Sequence, residues 1–101
     1  MAKEKIRLIS VRAYFLMSCH RFWNIRSDKD KEESLIIELT NNGGYIEFEL
    51  TNSTSSEVTK IENPETGVYT FPLAKGALTK LICRAKGAKG SYKIQKKTII
   101  E

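Results

Sequence analysis

Cys19 and His20 are neighbours, and a thiol beside an imidazole is the one pairing in this chain with the makings of a nucleophile and its base. His20 is the single histidine among 101 residues. Adjacent side chains on a strand point to opposite faces, which argues against contact between these two. Cys83 is the other thiol that strand pairing could bring to His20. The plainer reading is a small buried cysteine next to a surface histidine, and the chain is read as a non-enzyme. Metal ligation is equally thin. One histidine and two separated cysteines supply at most three soft ligands, where a structural zinc site takes four. Asp28-Lys29-Asp30-Lys31-Glu32-Glu33 sets oxygens at alternate positions but lacks the glycine and closing glutamate of a calcium loop. It reads as a solvated loop. No metal and no cofactor are expected.

Charge is the stronger signal, because it is sorted along the sequence. Residues 1–26 hold six basic groups and one acid, residues 27–73 ten acids and three lysines, and residues 74–100 eight basic groups and no acid. Such blocks mark surfaces that attract an opposite charge without naming the partner. Lys93 and Lys97 share one face of the last strand-like segment, and Lys80 and Arg84 share a face of the one before. With Lys86 and Lys89 at the turn between them, these six are the candidate site for a polyanion or an acidic partner; internal pairing with the acidic 35–50 hairpin, with lysines protecting an edge, is the reading that stands beside it. The Gly87-Ala88-Lys89-Gly90 turn also has exposed amides suited to a phosphate, though it reads equally as an ordinary reversal. Trp23, flanked by Arg21 and Arg26, is the candidate interaction anchor, since tryptophan and arginine are frequent in binding hot spots. A buried Trp23 anchoring the core is the alternative.

The elements that must carry these side chains read as β-structure. Leu35, Ile37 and Leu39 alternate with Ile36, Glu38 and Thr40. After Asn41-Asn42-Gly43-Gly44, Ile46, Phe48 and Leu50 alternate with Tyr45, Glu47 and Glu49. This spacing of two predicts a hairpin over 35–50 with an apolar face and an acidic one. Further strands are expected at 58–62, 68–73, 78–86 and 91–100, with turns at Asn63-Pro64-Glu65-Thr66-Gly67, Ala74-Lys75-Gly76 and Gly87–Gly90. Residues 5–20 fit a helical stripe (Ile6, Ile9, Ala13, Leu16, Met17) and a strand face (Ile9, Val11, Ala13, Phe15, Met17) equally. Their β-branched and aromatic content favours strand, with a short helix near the N-terminus as the alternative. Short strands at regular spacing predict one all-β domain over 1–101, a single antiparallel β-sandwich of jelly-roll or immunoglobulin-like type.

Tyr69-Thr70-Phe71-Pro72-Leu73-Ala74-Lys75-Gly76, then Lys80-Leu81-Ile82-Cys83 and Gly90-Ser91-Tyr92-Lys93-Ile94, carry a resemblance. Residues 68–95 resemble the closing strands of small bacterial jelly-roll or immunoglobulin-like modules, such as the pre-peptidase C-terminal type. The resemblance implies a β-sandwich with a binding or accessory role.

The expected function is therefore a non-enzymatic binding module that meets a macromolecular partner, foremost a protein, through charged sheet faces or an edge strand. Two rivals stand beside it. One is a nucleic-acid-binding protein, or a phage or mobile-element inhibitor, using the C-terminal basic surface. The other is a secreted carbohydrate-binding accessory domain, which needs exposed aromatics in a platform. No apolar run approaches the roughly 18 residues of a membrane span. The N-terminus has no sustained apolar segment followed by a cleavage site, so a native Met1 predicts a cytoplasmic protein, and a leader removed ahead of it a secreted one. Cys19 and Cys83 are expected to be reduced and buried.

Overall fold

Alternation of apolar and polar residues turns nearly the whole chain into strand. The computed structural model describes residues 3–15 and 17–100. It has eight strands: β1 (Lys3–Tyr14), β2 (Met17–Arg26), β3 (Glu33–Asn41), β4 (Tyr45–Asn52), β5 (Val58–Glu62), β6 (Gly67–Leu73), β7 (Leu78–Ala88) and β8 (Gly90–Ile100). The N-terminal stretch resolves to strand, not helix, in keeping with its β-branched Ile6, Ile9 and Val11. Leu16, a position of the helical reading, lies outside the described residues, as do Met1, Ala2 and Glu101.

The strands form two antiparallel four-stranded sheets, ordered β1-β8-β3-β6 and β2-β7-β4-β5. We call them sheet A and sheet B. Each covers the other's apolar face. Leu35, Ile37 and Leu39 of β3, Ile46, Phe48 and Leu50 of β4, Leu81, Cys83 and Ala85 of β7, and Tyr92 and Ile94 of β8 make the shared interior. Tyr92 is its hub, with ring centroids 5.1 Å from Phe15, 5.8 Å from Trp23 and 6.2 Å from Phe48. These tilted and edge-on contacts are the preferred geometries for aromatic pairs.

The expected 35–50 hairpin does not form. β3 pairs with β6 and β8, and β4 with β5 and β7, so the Asn41–Gly44 turn carries the chain from one sheet to the other. Two local facts enforce the crossing. The 42–44 turn is paired to the β7–β8 connection: the Asn42 amide donates to the Lys89 carbonyl at 2.9 Å, and the Lys89 amide to Gly43 at 3.0 Å. Gly44 (φ +81°) and Gly90 (φ +124°) sit so close to backbone that a Cβ on either would strike a carbonyl oxygen, of Gly87 and Thr40 respectively. The ladder β3/β8 therefore continues as β4/β7 around one end of the sandwich. Phe15 joins the same corner, its amide donating to Gly90 at 3.0 Å. Of the consecutive strands only β4 and β5 are paired neighbours. Among the described residues no helix is long and apolar enough to cross a membrane.

Candidate functional site

The β7–β8 connection decides the fate of the basic residues. β7 belongs to sheet B and β8 to sheet A, so Lys80, Arg84 and Lys86 lie on one side of the molecule and Lys93 and Lys97 on the other. The single continuous patch expected from the sequence is not assembled. An ordinary reversal would keep both strands in one sheet, whereas Gly87 and Gly90, both at positive φ, bend the chain across the corner.

On sheet B, alternate residues of β7 point outward. Lys80 places its ammonium 4.8 Å from the centroid of the Phe22 ring, a cation–π contact at the surface. Arg84 donates to Glu47 Oε2 at 2.6 Å and Glu49 Oε1 at 3.2 Å. Lys60 of β5 reaches Glu47 Oε1 at 3.4 Å, and the Tyr45 hydroxyl donates to the same oxygen at 2.8 Å. That hydrogen bond, with Arg84 and Lys60 behind it, holds the Glu47 carboxyl below the usual carboxylate range. The same bond pushes the Tyr45 phenol up to about 12. Lys86 is exposed on β7 opposite Tyr45, and Lys89 is exposed at the corner. The acidic side of the central strands is thus neutralised by basic neighbours within the same sheet.

On sheet A, Lys93 pairs with Glu38 at 3.3 Å and Lys97 with Glu4 at 3.8 Å. Between and beside these pairs lies apolar surface. Register sets Leu8, Gln95, Ile36 and Thr70 in one row across β1, β8, β3 and β6, and Ile6, Lys97, Ser34 and Pro72 in the next. Ile6, Leu8 and Val68 are exposed, as are Val11 and Tyr14 farther along β1. β1 is an edge strand of twelve residues, free on one side and interrupted by register shifts between Leu8 and Ser10 and between Ser10 and Ala13.

Trp23 faces the interior, half-buried against Tyr92, and acts as a core anchor. Arg21 lies beside the Tyr92 hydroxyl, which raises the arginine's pKa further. Arg26 is exposed at the end of β2, and its carbonyl accepts from Lys96 Nζ at 3.1 Å. The exposed aromatic of this stretch is Phe22. Alternation with Trp23 was the signal that one of the two must face out. Cys19 and Cys83 are free thiols, Cys19 half-buried and Cys83 fully buried, and burial pushes the Cys83 thiol strongly up. His20 pairs across to Arg84 on the outer face of β2, opposite in sense to Cys19 and Cys83.

A third charged cluster departs from the solvated-loop reading of residues 28–33, because Glu33 opens β3 and is buried. Glu33 and Lys96 are both buried at the end of the sandwich away from the glycine corner. Glu33 Oε2 accepts from the Thr98 hydroxyl at 2.5 Å and lies 3.3 Å from Lys96 Nζ, while Oε1 accepts from the Asp28 amide at 2.7 Å. Burial drives the Glu33 carboxyl upward, but the bonds from Thr98, Asp28 and Lys96 outweigh it and hold the group below its ordinary value.

No family model and no curated protein matches this sequence. Among solved structures, the fold is similar to the crystal structure of the SPBc2 prophage-derived protein YomS, with a TM-score of 0.50 at 10% identity over 98% of this chain and 95% of that one. At that identity the likeness concerns the β-sandwich alone.

Proposed function

We propose that this chain is a non-enzymatic jelly-roll module that binds another protein by adding an extended segment beside β1. The jelly-roll reading is supported by eight strands of which all but one consecutive pair switch sheets, giving the order β1-β8-β3-β6 over β2-β7-β4-β5. The prophage origin of the structural neighbour supports reading the chain as a small phage-type protein.

The observation that carries the binding surface is β1 itself. It combines an unpaired edge with exposed Ile6 and Leu8, and Leu8 shares its row with Ile36 two strands away across Gln95. Edge strands with such faces are templates for strand addition, where main-chain bonds give affinity and alternate side chains give selection. The outer face of sheet B is a weaker docking surface, because its charges already satisfy one another. β1 carries Lys3, Lys5, Arg7 and Arg12 against Glu4 alone, which disfavours a second copy of β1 as the added strand and favours an acidic segment.

A synthetic peptide of alternating Glu and Val serves as the probe. Amide shifts are expected along β1, and Leu8→Ser, which removes the apolar contact without adding charge, should weaken the binding about tenfold without unfolding an exposed position. Shifts confined to the outer face of sheet B, or equal binding of an alternating Lys and Val peptide, would reject the reading. The nucleic-acid alternative loses its main support once Lys80 and Lys97 stand on different sheets.

A further inference from the structure

The inner side of β1 carries a feature that strand addition does not use. A cavity of about 190 Å³ opens between β1, the end of β8 and the β2–β3 connection. Lys5, Arg7, Lys31 and Lys96 line it, with Asp28 and Glu33 as its carboxylates. Register explains the crowding of cations. Lys5 stands opposite Thr98, and Arg7 directly opposite Lys96, on the face that continues the sandwich interior past the end of sheet B. Like charges directly opposite on neighbouring strands cost stability unless something neutralises them.

The Glu33 carboxylate is fully engaged and that of Asp28 engaged through one oxygen. Glu33 uses both oxygens on the Asp28 amide, Thr98 and Lys96. Asp28 Oδ1 accepts from the Asp30 amide at 2.7 Å. Lys96 spends two of its three N–H donors, on the Arg26 carbonyl and on Glu33. Among the described residues, Lys5, Arg7 and Lys31 make no salt bridge. Four cations against two engaged carboxylates leave a surplus that a dianion would match. The donors are of several kinds: a guanidinium fork able to take two oxygens at once, two exposed ammonium groups and one buried one.

We propose that this cavity binds a phosphate group, either inorganic phosphate or a phosphate monoester. Arg7 takes two oxygens, Lys5 and Lys31 close over the others, and Lys96, held in place by Glu33, supplies the buried donor at the base. The cavity lies on the face of β1 opposite Ile6 and Leu8, but it shares Lys5 and Arg7 with the basic charge that favours an acidic added segment, so Lys31→Gln is the variant that bears on the cavity alone.

The test is a titration of the full chain with sodium phosphate, and separately with phenyl phosphate, at ionic strength held constant with sodium chloride. Amide shifts are read by NMR. Saturable shifts at Lys5, Arg7, Lys31 and Lys96, with a dissociation constant below about 10 mM, are expected from at least one ligand. Saturation by phosphate alone would identify the free ion as the ligand, and saturation by phenyl phosphate would admit esters. Arg7→Gln should weaken binding about tenfold, the loss of one charge-assisted pair. Lys31→Gln, in an exposed loop that does not bear on folding, should weaken it roughly threefold. Lys80→Gln on sheet B should leave it unchanged. The proposal is overturned if both ligands give only non-saturating shifts that chloride reproduces. It is equally overturned if Arg7→Gln and Lys31→Gln bind as the parent does.

Discussion

Glu33 is the residue where burial, charge and hydrogen bonding meet, and its protonation is linked to stability. Its carboxyl is held below the ordinary value of 4.5 in the folded chain. A depressed folded pKa contributes stability that is fully present above that value and lost as pH falls through the folded pKa. Urea unfolding of the parent should therefore lose stability from about pH 5 downward, and Glu33→Gln should flatten that loss. The variant should also be weaker at neutral pH by about 1–3 kcal/mol, because Lys96 stays buried without its counter-charge. An acid limb unchanged by the substitution would mean that other carboxylates dominate it. Tyr45 shows the opposite sign. Its phenol, bonded to Glu47, is pushed up to about 12 from 10.0. Its contribution is present below the ordinary value and fades as pH rises through the folded one. Ultraviolet titration should show two late tyrosines, Tyr45 and the buried Tyr92, and Glu47→Gln should return Tyr45 alone toward its ordinary value. A Tyr45 that ionises at its ordinary value of 10.0 would dismiss the bond.

The strands themselves were legible in the sequence, and their pairing was not. Period-two alternation marks which side of Leu35–Leu39 or Ile46–Leu50 is buried, whatever strand lies alongside. It is silent on whether the turn between them bends within a sheet or across to the other. That choice depends on Gly44 lying against Gly87 and Ala88, and Gly90 against Thr40, contacts more than 40 residues apart in the chain. Trp23 was legible as an aromatic of high consequence, yet only the register of β2 against β7 says that it turns inward and Phe22 outward. The Lys96–Glu33 pair was hidden because inward-facing charges at a strand's end break the alternation rule. The corner makes a sharp prediction. Gly44→Ala meets both a positive φ and the Gly87 carbonyl, so it should cost more than about 3 kcal/mol. Gly87 has φ +60° and open space around its missing Cβ, so Gly87→Asn should cost about 1 kcal/mol or less. Chemical denaturation of the two variants compares them directly, and equal costs would mean that the two connections do not pack as described.

Across the whole molecule, sequence-distant pairing governs both folding and charge. β3 must find β8, and β4 must find β7, before the corner can close. Refolding should therefore run on a millisecond-to-second scale, as expected where non-local strand pairs dominate, and a microsecond main phase would contradict this topology. The same long-range order sets how the protein can meet a polyanion. Lys80, Lys86 and Lys89 are the members of the basic set without a carboxylate partner among the described residues. Lys93 and Lys97 are paired and face the other way. A rigid duplex can lie along only one side, so it can neutralise about three phosphates instead of the six or so available to one continuous patch. The slope of log affinity against log salt for duplex DNA should then be no steeper than about −3, compared with about −5 for the continuous patch. Fluorescence anisotropy of a labelled duplex over a salt series measures it. Removing Lys80, Lys86 and Lys89 together should make the slope shallower, while Lys93→Gln with Lys97→Gln leaves it in place. A slope near −5 that both sets of substitutions reduce would require the two sheets to act on one ligand, and so a nucleic acid that bends around the sandwich.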